Sequence, residues 1–88
     1  MRTIHKYILS MGEPNDIEMS KGSVILHVGM QYGRACMWVG VDANEPTEVR
    51  SFDCYGSGRM LTFTPFSSHV GTVVDENSGF AWHFFEVT

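Results

Sequence analysis

The feature that most constrains the fold is the alternation of apolar and polar residues between Ser23 and Asp42. Such alternation is typical of half-buried β-strands, in which successive side chains point to opposite faces. A two-residue type II′ turn at Gly33-Arg34 predicts a hairpin in which Tyr32 pairs with Ala35. Every alternating apolar residue then shares one face of the hairpin: Val24, Leu26, Val28, Met30, Tyr32, Ala35, Met37, Val39 and Val41.

The opposite face of this hairpin combines polar and aromatic residues. In the same register Gly29 lies opposite Trp38, and Gly40 lies opposite His27. A glycine across from a ring leaves room for the ring to lie flat on the sheet. We therefore expect this face to be neither an ordinary solvent face nor an ordinary core.

Short β-rich runs separated by turn clusters make up the rest of the chain, at residues 3–9, 17–20, 48–55, 70–74 and 80–87. Residues 60–69, interrupted by Pro65, are predicted to form a long excursion. The pattern predicts an all-β fold, a small antiparallel sandwich or open barrel of five to six strands. Residues 1–88 are predicted to form one domain.

The last predicted strand, residues 80–87, is apolar on both faces. Such a strand lies in the middle of a sandwich or is covered by a partner subunit. A domain of this length buries only roughly 60–65% of its unfolded surface, so its stability alone is marginal. We therefore predict a homo-oligomer.

Composition and charge exclude several classes of protein. Apolar residues make up 43% of the chain and charged residues 18%, a balance that excludes a disordered protein. The net charge of −4 argues against a broad face for duplex DNA or RNA. No apolar run approaches the ~20 residues of a membrane span, and no signal peptide is evident. We expect a cytoplasmic protein with no membrane contact.

Catalytic and metal-binding patterns are weak in this sequence. Cys36 and Cys54 lack the spacing of a metal site. Two reduced, buried thiols are favoured, and one disulfide between them is the alternative. The four histidines lack ligand spacing, and neither a nucleophile elbow nor a carboxylate dyad is evident. We therefore predict a protein that is not an enzyme and needs no metal or cofactor.

The polar-aromatic hairpin face is the first candidate ligand site. A nucleobase would stack on Trp38 and form hydrogen bonds with Gln31 and His27. The alternative is that Trp38 packs inside the second face of a sandwich, with Gln31 at its rim.

A second candidate is the turn Tyr55-Gly56-Ser57-Gly58-Arg59, whose backbone N–H groups and arginine suit a phosphate. The alternative is an ordinary tight turn that uses its glycines for positive φ. Tyr7, beside His5, is a third candidate for stacking on a base, or else a core residue with a hydrated hydroxyl. His83 is either a ligand contact or a hydrogen-bonded strand histidine.

Several motifs in order resemble a family of short phage- and prophage-encoded proteins that is catalogued as a domain of unknown function. The family's "TI-KY-L" stretch corresponds to residues 3–9, and "ILHVG-Q-G--C-W--VD" to residues 25–42. "YGTG" corresponds to residues 55–58, "VGT" to residues 70–72 and "WH-FE" to residues 82–86. Ser57 replaces the family's usual threonine, and residues 59–68 lack its His-Pro-Ile-Pro-like stretch.

The resemblance implies a phage origin and a small β-fold. By analogy with phage sponges that sequester cyclic nucleotides of bacterial immunity, such as anti-CBASS proteins, we expect capture of a cyclic oligonucleotide without hydrolysis. The alternative is a protein–protein interaction module, either an inhibitor of a host enzyme or a small virion accessory protein.

Overall fold

A computed structural model describes residues 1–87, in which alternating buried and exposed residues form seven strands. The strands are β1 (Arg2–Leu9), β2 (Asn15–Ser20), β3 (Val24–Gln31), β4 (Arg34–Asp42), β5 (Thr47–Gly56), β6 (His69–Asp75) and β7 (Phe80–Val87). One turn of 3-10 helix, Phe66–Ser68, precedes β6. The predicted domain also includes Thr88, which lies outside the described residues.

The strands form two antiparallel sheets, ordered β1-β4-β3 and β2-β5-β7-β6. The two sheets pack on each other as an open sandwich and, within residues 1–87, do not close into a barrel. The predicted all-β antiparallel fold is therefore confirmed, with seven strands in place of five to six.

The core lies between the two sheets. On β4 the alternating residues Ala35, Met37, Val39 and Val41 are at most 4% exposed, as the sequence pattern predicts. The other buried members of this core come from both sheets: Leu9, Met19, Val28, Phe52, Val73 and Phe84. Each such side chain contributes about 1.5–3 kcal/mol relative to an exposed position. This core fixes which residues remain on the two outer faces.

The turn of the β3–β4 hairpin differs from the prediction. Gln31 pairs with Arg34, so the turn residues are Tyr32 (φ +52°) and Gly33 (φ +75°). Positive φ at both central residues defines a type I′ turn, whose twist matches that of paired strands. The predicted type II′ turn at Gly33-Arg34 is therefore wrong, and Tyr32 is 92% exposed at the tip of the hairpin.

A β-bulge at Leu26 changes the register further along the same hairpin. Ile25 pairs with Val39 and turns toward the core, whereas Val24 and Leu26 are exposed. His27 lies opposite Trp38, so the predicted pairings of Gly29 with Trp38 and of Gly40 with His27 are wrong. Those two pairings are wrong because the turn differs, which moves the partner of each residue by two positions. Beyond His27, the extra residue of the bulge interrupts the period of two, so that Ile25 faces the core in place of Val24 and Leu26.

The middle of β7 is covered on both faces within the chain, whereas Phe80 and Val87 at its ends are 61% and 45% exposed. Phe84 is buried in the core between the sheets. On the outer face, Phe85 is buried against the rings of Tyr55 and His69, with centroids 5.8 and 5.2 Å away. The inner position of β7 between β5 and β6, one of the two explanations for an apolar strand, therefore accounts for its buried residues.

An arginine joins the two sheets at one end of the sandwich. Arg50 donates to both Glu86 carboxylate oxygens, at 2.6 and 2.8 Å, and to the Ser23 carbonyl at 2.6 Å. The Glu86 hydrogen bond is the main cause of a pKa for Arg50 above its usual value. The segment that enters β3 is thereby tied to β5 and β7.

The edges of the two sheets come into close contact where β6 passes β3. A Cβ atom added at Gly71 would overlap Val28 Cβ and would lie 2.8 Å from its Cγ2. Because the nearest contact is the first side-chain atom of Val28, rotating that side chain cannot relieve it. A glycine is therefore required here by space.

We predict that Gly71→Ala lowers the free energy of unfolding by about 1–3 kcal/mol, the usual cost of overpacking. The matched control is Gly40→Ala, because a Cβ there meets nothing closer than the Val24 carbonyl at 3.7 Å. Urea denaturation of both variants measures the difference. Equal stability of the two variants would contradict the close approach of β6 and β3.

Candidate functional site

A chain of hydroxyl and imidazole groups lies on the outer face of the four-stranded sheet. Ser57 Oγ lies 2.8 Å from His83 Nε2, and His83 Nδ1 lies 2.9 Å from Thr72 Oγ1. Thr72 Oγ1 is in turn 2.8 Å from His69 Nε2. We call these four residues the Ser–His–Thr–His chain.

Strand pairing positions these groups. His83 on β7 pairs with Tyr55 on β5 and with Thr72 on β6, so the three side chains share the outer face. A β-bulge between residues 69 and 71 places His69 beside Phe85 on the same face. Ser57 follows β5 directly, and its N–H donates to the Ala81 carbonyl on β7 at 3.3 Å. Backbone pairing thus fixes both ends of the Ser–His–Thr–His chain.

The hydrogen bonds of the Ser–His–Thr–His chain can run in either direction. A neutral imidazole has one donor and one acceptor nitrogen, whereas a hydroxyl group both donates and accepts. If Ser57 donates to His83 Nε2, then His83 Nδ1–H donates to Thr72 and Thr72 donates to His69; the reverse order is equally consistent. The Ser57 hydroxyl can therefore donate a hydrogen bond to a ligand or accept one from it, according to the ligand that approaches.

The turn at residues 56–59 separates two open cavities. The larger, of about 890 Å³, is lined by Trp82 and Phe80, whose ring centroids lie 6.1 Å apart. The smaller, of about 310 Å³, is lined by His83, Phe85 and Phe66. Four residues line both cavities: Tyr55, Gly56, Ser57 and Arg59. One turn thus presents its side chains to two adjoining recesses.

The turn itself is held by its own backbone. Gly58 has φ +86°, and the Arg59 N–H donates to the Gly56 carbonyl at 3.1 Å. Because the Ser57 and Arg59 N–H groups are both used within the chain, a phosphate has fewer backbone donors here than the sequence suggested. The groups offered to a ligand are the Ser57 hydroxyl, the Gly58 N–H and the exposed Arg59 guanidinium.

Tyr55 supports the excursion that follows the turn. Its hydroxyl lies 3.2 Å from Asp53 Oδ2 and 3.2 Å from Thr64 Oγ1. These contacts hold residues 60–68 against the outer face of the sheet, where Phe66 and Leu61 line the smaller cavity. Tyr55 therefore shapes the recess as well as lining it.

The other sequence-predicted site residues lie elsewhere. His27 and Trp38 contact each other on the outer face of the three-stranded sheet, with centroids 5.7 Å apart, and Gln31 accepts a hydrogen bond from Lys6 Nζ at 2.9 Å. Tyr7 is partly buried against the core, the alternative considered for it. The sandwich separates these residues from the turn, so the predicted residues do not form one site.

His69 and Thr72 are the members of the site that the sequence analysis missed as functional residues. Thr72 lies within the "VGT" motif, and His83 within the "WH-FE" motif. Those motifs mark Thr72 and His83 in the sequence. Only the pairing of β6 with β7 brings their side chains together.

Both cysteines are free thiols, as favoured from the sequence, but only Cys36 is buried, and Cys54 is partly exposed. Cys54 lines the larger cavity and accepts a hydrogen bond from the Gly12 N–H, with 3.2 Å between nitrogen and sulfur. Burial raises the pKa of the Cys54 thiol, and the Gly12 hydrogen bond offsets part of that rise. The thiol therefore presents a neutral, apolar surface to the cavity.

Among residues 1–87, no three His, Cys, Asp or Glu side chains are grouped as a metal site would require. The same part of the chain contains no helix of the length and apolar character needed to span a bilayer.

Comparison with known proteins places the chain in a family. No curated protein and no solved structure matches it. The model of one family, described as Domain of unknown function (DUF7352), matches residues 1–88, the whole of the sequence. The chain therefore belongs to the DUF7352 family.

Proposed function

We propose that this protein binds a small anionic nucleotide at the turn formed by residues 56–59 and does not convert it chemically. The observation that supports this most is the position of Ser57 and Arg59 between two aromatic-lined cavities, with His83 hydrogen-bonded to Ser57. The turn thus offers a cation and a hydroxyl for a phosphate next to rings for a base.

The phosphate is assigned to the cationic side of the turn. Arg59 supplies a permanent positive charge in a chain whose net charge is −4. Hydrogen bonds to a charged group are worth about 1.5–3 kcal/mol each, and a guanidinium suits the paired oxygens of a phosphate. Ser57 adds a donor when His83 is arranged to accept from Thr72, the orientation that the Ser–His–Thr–His chain permits.

The base is assigned to the larger cavity. Trp82 and Phe80 line it, and stacking of a base on an aromatic side chain is worth about 1–3 kcal/mol. Its volume of about 890 Å³ lies within the roughly 300–1,000 Å³ that is usual for small-molecule sites. This volume supports a ligand of nucleotide size.

Binding is favoured over turnover by the backbone of the turn. A serine activated by an imidazole needs separate N–H donors for the oxyanion that forms when it attacks. Of the N–H groups of the turn, those of Ser57 and Arg59 already donate to carbonyl groups of the chain, which leaves the Gly58 N–H alone where two donors are usual. This arrangement supports a protein that holds its ligand unchanged.

Within this class of ligands we favour a cyclic oligonucleotide, such as a cyclic dinucleotide that acts as an immune signal in a phage-infected cell. Such a ligand carries two bases and two phosphates, which suits a charged turn flanked by two recesses. By sequestering the signal in the host cytoplasm, the protein would act as a sponge of the anti-CBASS kind.

Isothermal titration with a panel of cyclic dinucleotides and cyclic trinucleotides tests this proposal. We predict that at least one member binds and that Arg59→Ala weakens its binding about tenfold or more, since a charge-assisted contact is lost. Arg34→Ala is the matched control, because Arg34 is exposed at the hairpin turn of the other sheet. Absence of binding to every member by folded protein, or equal binding by both variants, contradicts the proposal.

A protein–protein interaction module is a second candidate function, favoured by the exposed apolar residues of the excursion. Met60, Phe63 and Phe66 are 87%, 95% and 83% exposed, and residues 60–68 contain no charged side chain. Exposed aromatic and methionine side chains are typical of interface hot spots. The partner in this case is a host enzyme or a virion protein.

Phe63 separates the two functions, because it lines neither of the two cavities beside the turn. If the excursion binds a protein, Phe63→Ser should abolish recovery of a stoichiometric host protein from infected-cell lysate, while nucleotide titrations stay unchanged. Tyr32→Ser is the control, since Tyr32 is similarly exposed on the other sheet. Retention of the host protein by the Phe63 variant counts against this second function.

A further inference from the structure

An open recess lies over Gly40 on the three-stranded sheet. Its volume is about 450 Å³, and Ile4 on β1 and Val24 on β3 both pair beside Gly40 on the central strand. Because Gly40 has no side chain, the two aliphatic side chains form the walls of a slot whose floor is backbone. The recess is therefore apolar at its centre.

The β-bulge at Leu26 completes one wall of this recess. It leaves both Val24 and Leu26 exposed on the outer face, whereas Ile25 turns toward the core. A Cβ atom added at Gly40 would lie 3.9 Å from Leu26 Cδ1, an ordinary contact distance. Bulges often re-aim a side chain beside a functional site. Here the bulge brings a second aliphatic side chain to the same wall.

Two cations line the end of the recess. Arg2 lies at the start of β1, and Lys21 lies in the turn that follows β2. The Lys21 N–H donates to the Pro46 carbonyl at 2.7 Å, which holds this turn beside the loop that follows β4. Neither cation takes part in an ion pair within residues 1–87. Two of the six Lys and Arg residues of the chain thus meet at one recess with their charges unpaired in that part of the chain.

Asp42 is the one carboxylate among the described residues that line the recess, and it is already occupied. It accepts hydrogen bonds from the Asn44 N–H at 3.1 Å and from the N-terminal ammonium group at 3.2 Å. The Asn44 hydrogen bond is the main cause of a pKa for the Asp42 carboxyl below its usual value. The side chains of the recess therefore carry an excess of positive charge, in a chain whose net charge is −4.

The composition of the recess indicates a class of ligand. No aromatic ring is among the described residues that line it, in contrast to the cavity beside Trp82, so the walls suit an alkyl chain better than a base. The guanidinium and ammonium groups suit an anionic head group. Its volume lies within the roughly 300–1,000 Å³ that is usual for small-molecule sites, which are mostly apolar with a few charged groups that orient the ligand.

We propose that this recess binds a free aliphatic carboxylate, such as a medium-chain fatty acid, with its alkyl chain over Gly40 and its carboxylate beside Arg2 and Lys21. The hydrogen bond from Lys6 to Gln31 leaves the recess open, because it runs from the level of Trp38 toward the hairpin turn, away from Gly40. The site lies on a different sheet from the turn at residues 56–59 and does not depend on the proposed nucleotide.

Two-dimensional NMR of the isotopically labelled protein, titrated with octanoate, tests this site. We expect amide shifts at Gly40 and the other residues of the recess. Octanoate should bind at least tenfold more tightly than 1-octanol, which lacks the charge, and than acetate, which lacks the chain. Shifts confined to the cavity beside Trp82, or equal affinities for octanoate and 1-octanol, overturn the proposal.

Two variants of the slot locate the alkyl chain. Gly40→Leu fills the recess and should raise the dissociation constant for octanoate at least tenfold. Gly40→Ala is the matched control and should bind nearly as well as the wild type, because its Cβ meets nothing closer than 3.7 Å. Circular dichroism confirms that both variants are folded.

A charge variant tests the head group without adding bulk. Arg2→Gln/Lys21→Gln should abolish the preference for octanoate over 1-octanol. Arg34→Gln/Arg59→Gln, which removes the same charge at the hairpin turn and on the other sheet, should keep it. A preference that survives in the Arg2/Lys21 variant overturns the proposal. So does sedimentation with phosphatidylglycerol vesicles by a protein that does not bind free octanoate.

Discussion

The structure depends on the pairing of β7 with both β5 and β6. This central strand buries Phe84 on one face and Phe85 on the other, so it fixes the core and anchors the excursion at the same time. The same pairing sets His83 between Tyr55 and Thr72. The arrangement of the candidate site is therefore a direct consequence of the strand order in the four-stranded sheet.

The outer faces of the two sheets differ in chemistry. The outer face of the four-stranded sheet carries hydroxyl groups, imidazoles and the Arg59 turn, and residues 60–68 cover part of it. The three-stranded sheet carries aliphatic side chains around Trp38. We propose nucleotide binding for the first face.

Much of the fold was predictable from the sequence, because alternation identifies strands that bury one face. Residues 35, 37, 39 and 41 show this directly, since all four are buried on β4 as expected. The turn and the bulge of the same hairpin were not predictable. Tyr32 adopts a positive φ that few large residues adopt, and the bulge at Leu26 inserts a residue that no period of two reveals.

The candidate site was predictable only in part. Its glycine-flanked serine and its arginine stand together in the sequence, and the family motifs mark Thr72 and His83. Their hydrogen bonds arise from the register of β6 on β7, which is a long-range property of the sheet. For the same reason Trp38 and Arg59, both candidates for one ligand, lie on different sheets.

The most direct test of the central claim is mass spectrometry of the ligand released by heat. The protein is incubated with cyclic dinucleotides, separated from free ligand and denatured, and the supernatant is analysed. Binding without conversion predicts that one intact cyclic dinucleotide is recovered in proportion to the protein, and that Arg59→Ala recovers much less. Recovery of no nucleotide, or only of a linear hydrolysis product, contradicts it.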